Sequence, residues 1–275
     1  MIDMKVKGFN TKKKLGQNFI FDENILSRIA DLADITKDDN VIEIGAGLGT
    51  LTREIAERAK SVIAYEIDDE AVDILRDNLR EYKNLIILND DIMKADLKGV
   101  VDKYFDGNKC KVVANLPYYI TSPIIMKLLE SHLMKDITIL IQKEVAERIC
   151  AEPGSKEYGV LTVAVNYYSK PEMLLNLPPE VFSPKPKVSS TLIKLHVLDE
   201  PPVFVKNEKL FFKVVKASFG QRRKVITNSL KSLNIDQSII LNALLKCGID
   251  LKQRGETLSI EKFAELANAI DDMKM

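Results

Sequence analysis

The fold is decided by four short apolar runs: Val41-Ile42-Glu43-Ile44, Val62-Ile63-Ala64-Tyr65, Leu85-Ile86-Ile87-Leu88 and Val112-Val113-Ala114. Helix-like stretches separate these runs, and the alternation predicts a parallel β-sheet that is buried on both faces. Because ligands of open α/β sheets bind beyond the carboxyl ends of the strands, we expect the residues that end the runs to converge on one crevice. These residues are Gly45, Glu66, Asp91 and Asn115.

Three further segments extend the predicted sheet, at residues 137–142, 172–177 and 191–197. The sequence therefore predicts an α/β fold with a Rossmann-like, seven-stranded and mostly parallel sheet. Two consecutive prolines, Pro201-Pro202, indicate a boundary, and the residues after them have helical periodicity. We predict a main domain over residues 1–198 and a small all-helical domain over residues 199–275.

The composition argues against several classes of protein. The 275 residues have a formal net charge of zero, so the overall charge does not indicate a nucleic-acid partner. The three cysteines are far apart in sequence and only two histidines are present, so we expect no metal site. The lysine-rich start and the absence of a long apolar run predict a cytoplasmic protein with reduced thiols and no membrane partner. We also expect a monomer.

A glycine-rich loop follows the first apolar run. Gly45, Gly47 and Gly49 alternate between a strand and a helix, so the backbone can turn tightly and approach a ligand closely. The spacing is G-x-G-x-G and differs from the G-x-G-x-x-G of dinucleotide-binding folds, and no G-x-x-x-x-G-K-[ST] phosphate-binding loop is present. Together with Glu43 before it, the loop resembles motif I of the S-adenosylmethionine-dependent methyltransferases.

Carboxylates end the second and third runs. Glu66 can accept hydrogen bonds from both ribose hydroxyls of an adenosine cofactor, although the acidic residues after it also fit a helix N-terminus. Asp91 can accept a hydrogen bond from the adenine amino group, and its neighbour Asp90 is a competing candidate that spacing does not exclude.

The fourth run leads into Asn115-Leu116-Pro117-Tyr118. Proline restricts the residue before it, so the Leu116 carbonyl is held in place. Asn115 and this carbonyl offer two acceptors for the two hydrogens of an exocyclic amine, and Tyr118 offers a face on which a base can stack. We predict that Phe182 stacks on the other side of that base. A plain strand end with buried aromatic residues is the alternative.

Lysines and arginines cluster in three places, and we predict that they contact phosphate groups. A solvated protein surface is the alternative interpretation of each cluster. The clusters are Lys12-Lys13-Lys14, the pair Lys185 and Lys187, and Arg222-Arg223-Lys224.

Five motifs in this order resemble the small-subunit ribosomal RNA adenine dimethyltransferases of the kasugamycin-resistance type. The resemblance covers nearly the whole chain. It is found at Leu15-Gly16-Gln17-Asn18-Phe19, at residues 43–49, at residues 115–123, at Phe182-x-Pro184-x-Pro186-x-Val188-x-Ser190, and at Phe219-x-x-Arg222-Arg223-Lys224.

The resemblance implies a class I methyltransferase domain over residues 1–198 and an rRNA-binding helical domain over residues 199–275. It implies transfer of four methyl groups to two adjacent adenosines in a hairpin near the 3′ end of small-subunit rRNA, and a role in late subunit assembly. The lack of a long extension favours an archaeal member. The implied cofactor residues include Asp91 rather than Asp90 and are Asn18, Ile20, Gly45, Glu66, Asp91 and Asn115.

Four other functions compete with this interpretation. A large-subunit rRNA adenine methyltransferase of the macrolide-resistance type shares the Asn-x-Pro-Tyr motif but not the Phe-x-Pro-x-Pro and Phe-x-x-Arg-Arg-Lys motifs. A DNA adenine methyltransferase would need a target-recognition domain that the sequence does not indicate. A non-catalytic assembly factor would not need intact cofactor motifs, and a nicotinamide enzyme would need another glycine spacing.

Overall fold

The structure is a computed structural model that describes Lys12, residues 16–221 and residues 224–274. These residues form two compact units. The first contains the described residues up to Ala146 together with Lys170–Val197, and the second contains Glu147–Ser169 and the residues from Leu198 onward. The predicted division at residue 198 leaves residues 147–169 with the first domain, whereas in the structure they belong to the second unit. The division into domains stays a prediction.

The strands of the structure include all seven predicted ones. They are β1 (Phe19–Ile20), β2 (Asn40–Ile44), β3 (Ser61–Glu66), β4 (Leu85–Asn89), β5 (Cys110–Asn115), β6 (Met134–Gln142), β7 (Ser169–Leu177), β8 (Phe182–Ser183) and β9 (Ser190–Val197).

Seven of these strands form one sheet in the order β4-β3-β2-β5-β6-β9-β7. The pairs β3/β4, β2/β3, β2/β5 and β5/β6 are parallel, and β6/β9 is antiparallel. The predicted α/β fold with a mostly parallel seven-stranded sheet is therefore confirmed. The chain moves outward from β2 through β4 and then returns to β5 on the other side of β2, so a crevice opens beyond the adjacent ends of β2 and β5.

Helices connect these strands and make up the C-terminal part of the chain. They are α1 (Glu23–Leu32), α2 (Thr50–Arg58), α3 (Asp69–Asn78), α4 (Leu97–Phe105), α5 (Thr121–Glu130), α6 (Lys143–Ile149), α7 (Val160–Tyr168), α8 (Glu208–Phe219), α9 (Ile226–Ser229), α10 (Gln237–Lys246) and α11 (Ile260–Lys274). None of the helices in the described ranges combines the length and apolar composition that a membrane-spanning helix needs.

The central strands follow directly from their composition. All five residues of β2 are buried, and Val41 and Ile42 are 0% exposed because helices cover both faces of the sheet. Helix α2 packs Leu51 and Ile55 into the same core. Each such side chain contributes about 1.5–3 kcal/mol to folding through its burial, so the strand ends are held on a rigid base.

A second, two-stranded sheet was not predicted. Strands β1 and β8 pair antiparallel, with Ile20 opposite Phe182 and Phe19 opposite Ser183. Two-residue strands are too short to show a periodicity in the sequence. This pairing joins the segment before α1 to the segment before β9, and it draws Ile20 and Phe182 into the hydrophobic core of the first unit.

Aromatic side chains and a buried hydroxyl organise the second unit. The ring centroid of Tyr167 on α7 lies 5.0 Å from that of Phe211 and 5.3 Å from that of Phe212, both on α8. The Tyr158 hydroxyl donates to the Leu258 carbonyl over 2.9 Å. These interactions explain why residues 147–169 belong with the C-terminal helices, since α7 packs its apolar side on α8.

Candidate active site

The pocket beyond β2 and β5 brings together the residues that end the four predicted strands. Gly45, Glu66, Asp91 and Asn115 all line it. Its volume is about 820 Å³ when the solvent space at its open mouth is included.

The glycine loop forms the floor of this pocket. Gly45, Gly47 and Gly49 have φ angles of 75°, 57° and 90°, in the left-handed region that favours glycine. A Cβ atom on Gly47 would lie 2.6 Å from Cε1 of Phe19, so no side chain fits there unless the ring moves. The Gly45 N–H donates to the Tyr65 carbonyl over 2.8 Å, which ties the loop to the end of β3.

Glu66 is buried at the end of β3 and faces the pocket. Its Oε2 accepts from the Gly47 N–H over 2.7 Å, and its Oε1 accepts from the N–H groups of Ile67 and Asp68 over 2.9 Å each. Burial raises the pKa of the Glu66 carboxyl, while these three backbone donors oppose the rise. A carboxylate has about four acceptor sites, so one remains for a further donor.

Asp90 and Asp91 both line the pocket. The Asp90 Oδ1 accepts from the Asp91 N–H over 2.7 Å, and the Asp91 Oδ1 accepts from the Met93 N–H over 2.9 Å. Each carboxylate thus has one oxygen engaged by the backbone. The geometry alone leaves both as acceptors for a ligand amine.

The segment before α1 forms one wall of the pocket through Gly16, Gln17, Asn18 and Phe19. The Gln17 side chain donates to Asp68 Oδ2 over 3.0 Å, and Lys12 forms an ion pair with the same carboxylate. The sequence did not predict that Asp68 holds this wall of the pocket in place. Its position as the N-cap of α3 is the one feature that could have drawn attention to it.

Ile20 occupies a different place from the other predicted cofactor residues. It is 3% exposed and lines a small cavity that adjoins the main pocket, together with Glu43, Gly45 and Asn115. Its side chain therefore supports the pocket from the core, while Asn18 contributes directly to the wall.

Asn115 ends β5 with its amide held in one orientation. Its Nδ2 donates to the Asn18 carbonyl over 2.8 Å, which leaves Oδ1 as the acceptor on the other side of the amide. Leu116 is 2% exposed and lines the pocket, and its N–H donates to the Leu140 carbonyl over 3.2 Å. The strand end thus presents a fixed amide oxygen next to a fixed backbone segment.

The structure does not bring Tyr118 and Phe182 together as a pair of facing rings. The Tyr118 hydroxyl lies 2.7 Å from Ser190 Oγ, and the side chain is half-buried. Phe182 is 5% exposed, because its pairing with Ile20 places it in the hydrophobic core. In the described ranges, no ring contact joins the two side chains, and neither lines the main pocket. The sandwich of a base between these two rings stays a prediction, and Phe182 would have to leave the core to form it.

The predicted RNA-contacting lysines lie at the surface where they are described. Lys185 is exposed and forms an ion pair with Glu180, and Lys187 is also exposed. Lys224 lies in an open groove of the second unit that is also lined by Lys231 and Asn228. Arg222, Arg223, Lys13 and Lys14 lie outside the described residues.

No group of three His, Cys, Asp or Glu side chains with a metal-binding arrangement occurs among the residues the structure describes. Cys110 is buried, and burial raises the pKa of its thiol to about 12. None of the described cysteines lines the main pocket.

Curated bacterial proteins are similar to this chain over nearly their whole length. Those named "Ribosomal RNA small subunit methyltransferase A" include the protein of Caldanaerobacter subterraneus, 57% identical over 94% of this chain and 97% of that protein. The protein of Clostridium botulinum is 52% identical over 96% of each chain, and that of Bacillus pumilus is 49% identical over 97% and 94%. The expectation of an archaeal protein is therefore wrong.

Two solved structures have the same fold over almost the whole chain. A dimethyladenosine transferase from Plasmodium falciparum superposes with a TM-score of 0.77 at 28% identity, over 90% of this chain and 95% of that chain. The 23S rRNA methyltransferase ErmE superposes with a TM-score of 0.70, also at 28% identity, over 92% and 100%. A family model described as "Ribosomal RNA adenine dimethylase" matches residues 8–272, and the chain therefore belongs to this family of methyltransferases.

Proposed function

We propose that this protein transfers methyl groups from S-adenosylmethionine to N6 of two adjacent adenosines in a hairpin near the 3′ end of small-subunit rRNA. The product is N6,N6-dimethyladenosine, and the modification accompanies assembly of the small ribosomal subunit. The observation that best supports this proposed activity is the fixed amide of Asn115 beside Leu116, in a pocket that is also lined by the glycine loop. The names of the bacterial relatives support the choice of substrate.

The pocket suits S-adenosylmethionine through its buried acceptors. Glu66 has one acceptor site left for a ribose hydroxyl, and a contact with both hydroxyls would require it to release the Gly47 N–H. Asp91 would accept from the amino group of the cofactor's adenine, in keeping with the family motif, and Asn18, Gly45 and Gly47, which line the pocket, would bring backbone close to the cofactor. When bound, the sulfonium supplies an electrophilic methyl group.

The amino group of the target adenine is a weak nucleophile, and the residues at the end of β5 compensate for this. The lone pair of an adenine amino group is delocalised into the ring, so the nitrogen must become pyramidal to attack. Asn115 Oδ1 and the Leu116 carbonyl accept the two amino hydrogens and stabilise the charge that develops on the nitrogen. By analogy with oxyanion-hole donors, each such fixed dipole contributes about 3–4 kcal/mol to the transition state. Holding both reactants in line supplies much of the remaining acceleration.

A dedicated base is not required by this scheme. The ionisable side chains that line the described pocket are Glu66, Asp90, Asp91 and two tyrosines, and Glu66 is engaged by backbone donors. After methyl transfer the nitrogen is cationic and strongly acidic, so its proton can pass to water at the open mouth.

The target base must leave its stack to reach the strand end. Tyr118 remains our candidate for a stacking partner, since its hydroxyl is anchored to Ser190 and its ring is half-buried. For Phe182 to stack on the base, its ring would have to leave the core, at a cost of about 1.5–3 kcal/mol of burial. Phosphate contacts are assigned to Lys185, Lys187 and the Arg222-Arg223-Lys224 cluster. We also propose that the protein acts in the cytoplasm and as a monomer.

The test mixes the protein with labelled S-adenosylmethionine and small subunits that lack the modification, and maps the label by mass spectrometry of the rRNA. Two adjacent dimethyladenosines near the 3′ end are expected, and Asn115→Ala should abolish transfer while the cofactor still binds. Unchanged turnover in that variant would contradict the scheme. Label in large-subunit rRNA would favour the activity named for the ErmE structure, and subunit binding without transfer would favour an assembly factor.

A further inference from the structure

An exposed aromatic ring lies at the mouth of the pocket. Tyr119 is 64% exposed, and it lines the pocket together with Asp91 and Asn115. Leu116, which holds the acceptor carbonyl, is 2% exposed in the same lining. The pocket therefore has a buried end, where the chemistry is placed, and an open rim with an aromatic side chain.

The ring of Tyr119 is supported on one edge by the segment that forms the pocket wall. A Cβ atom on Gly16 would lie 3.4 Å from Cδ1 and 3.6 Å from Cε1 of Tyr119. Gly16 has a φ angle of 63°, so its backbone can approach the ring without a side chain between them. The ring therefore has Gly16 on one side, and most of its surface is in contact with solvent.

The two aromatic residues that were predicted to stack on the target base, Tyr118 and Phe182, are less exposed at the pocket than Tyr119. The hydroxyl of Tyr118 is hydrogen-bonded to Ser190, and the residue does not line the pocket. The ring of Phe182 is 5% exposed and packs in the core. Of the three residues, Tyr119 is the one that a nucleobase could cover at the pocket without any rearrangement of the protein.

We propose that Tyr119 forms a stacking subsite for the nucleobase next to the target adenosine, so that the protein holds two neighbouring bases at once. The inference rests on the proposed function. Every base has a π-face, so stacking on an exposed aromatic ring tolerates any neighbour and increases affinity for the strand without selecting its sequence. The position at the rim fits the flanking base, since the target base must pass it to reach Asn115 and Leu116.

The subsite also accounts for the exposure of the ring. When the target base is drawn into the pocket, the base beside it loses a stacking partner. Tyr119 replaces that partner at the rim, and the ring is covered only while RNA is bound. Removing the ring should therefore weaken RNA binding and leave the cofactor site intact.

The experiment compares Tyr119→Ala, Tyr119→Phe and Tyr119→Leu in the full-length protein. Unmodified small subunits serve as the substrate, and steady-state kinetics is combined with calorimetric binding of S-adenosylmethionine. We expect Tyr119→Ala to raise KM for subunits about 10-fold, with little change in kcat or in the cofactor Kd. Tyr119→Phe should have the KM of the wild type. Tyr119→Leu should show the same rise in KM as Tyr119→Ala, because leucine keeps the bulk of the side chain but not its aromatic face.

Tyr104→Ala is the matched control, since Tyr104 is a partly exposed tyrosine of the same unit that does not line the main pocket. It should leave all three parameters unchanged. An unchanged KM in Tyr119→Ala would overturn the inference. A parallel rise in the cofactor Kd would also overturn it, and would place the ring on the cofactor instead. If the wild type itself does not methylate subunits, the proposed function fails first, so the two failures are distinguishable.

Discussion

Two buried glutamates on neighbouring strands of the sheet differ in what surrounds their carboxyl groups. Glu43 on β2 is 2% exposed and Glu66 at the end of β3 is 6% exposed. Three backbone N–H groups point at Glu66, whereas Oε2 of Glu43 has no hydrogen-bond partner among the described residues. Burial raises the pKa of both carboxyl groups and is the main reason why that of Glu43 reaches about 8, with a smaller contribution from the negative charge of Glu66.

The difference shows how the same residue type serves two purposes in one site. Glu66 is held by donors in a form that can accept hydrogen bonds from a ligand. Glu43 fills a place in the core behind the glycine loop, and its raised pKa favours the neutral carboxyl at pH 7. Ionising Glu43 would put a second negative charge, without a hydrogen-bond donor at its Oε2, close to Glu66 in the interior. The raised pKa values therefore disfavour two neighbouring anions at this end of the sheet.

Asp39 provides a third buried carboxylate, this time with a cationic partner. Lys111 Nζ lies 2.9 Å from its Oδ2, with side-chain exposures of 12% and 9%. Burial alone would raise the pKa of Asp39, but Lys111 and Thr36 together hold it below its ordinary value. Lys111→Met should therefore leave a buried charge without its partner and cost about 3–5 kcal/mol of unfolding free energy in urea titrations.

The control for this prediction is Lys98→Met. Lys98 lies 2.8 Å from Asp102 on the exposed face of α4, and its removal should cost less than about 0.5 kcal/mol. The pH dependence is a further test. The pKa of Asp39 is lower in the folded state than in the unfolded state. Its contribution to the free energy of unfolding is therefore present above the unfolded-state pKa and is lost as the pH falls through the folded-state pKa. Equal losses in both variants would contradict the assignment of Asp39 and Lys111 as a buried pair.

Glu66→Ala tests the carboxylate that faces the pocket. The variant leaves the N–H groups of Gly47, Ile67 and Asp68 without their acceptor and removes the contact proposed for the ribose. We expect the affinity for S-adenosylmethionine to fall by about 3 kcal/mol, more than a hundredfold, in calorimetric titrations. Glu66→Gln retains one acceptor oxygen, so its affinity for S-adenosylmethionine should fall less than that of the Ala variant. A Kd that stays at the wild-type value in the Ala variant would remove Glu66 from the cofactor site.

Glu43→Gln tests the neutral carboxyl. The folded-state pKa of Glu43 is raised to about 8, so the unfolded chain ionises first, and wild-type stability should fall between about pH 5 and pH 8 from this group. The amide cannot ionise. At about 1.4 kcal/mol per pH unit over nearly three units, the variant should therefore gain about 4 kcal/mol of stability relative to wild type between pH 5 and pH 8.5, as measured by denaturant titration at both values. Parallel stability curves would show that Glu43 is ionised in the folded protein.

Gly47→Ala has the smallest expected effect and tests the loop that donates to Glu66. The added Cβ would meet the ring of Phe19 at 2.6 Å, and the left-handed φ angle adds strain of about 1–2 kcal/mol. Gly154→Ala is the control, because its φ angle is 87° and nothing described lies within 4 Å of the new Cβ. Both variants should unfold at slightly lower temperature, but only Gly47→Ala should weaken cofactor binding. If the two variants bind the cofactor with equal affinity, the ring of Phe19 moves away from the new Cβ at little cost.

The site residues differ in how well the sequence predicted their places. Gly45, Glu66, Asp91 and Asn115 are brought to one pocket as expected, because each follows an apolar run whose direction and end are visible in the local pattern. Phe182 was expected at the pocket and lies in the core. The pairing of β8 with β1 decides its position, and this pairing joins residues about 160 positions apart in the chain.

Local interactions account for the part that could be derived from the amino-acid order alone. Strand length, the positive φ angles of Gly45, Gly47 and Gly49, and the polar residue after each strand depend on neighbours within a few positions. The protonation of Glu43, the anchoring of Asn115 by Asn18 and the exposure of Tyr119 depend instead on groups that only folding places nearby. Burial and long-range hydrogen bonds have no local signature, so these properties first became visible in the packed molecule.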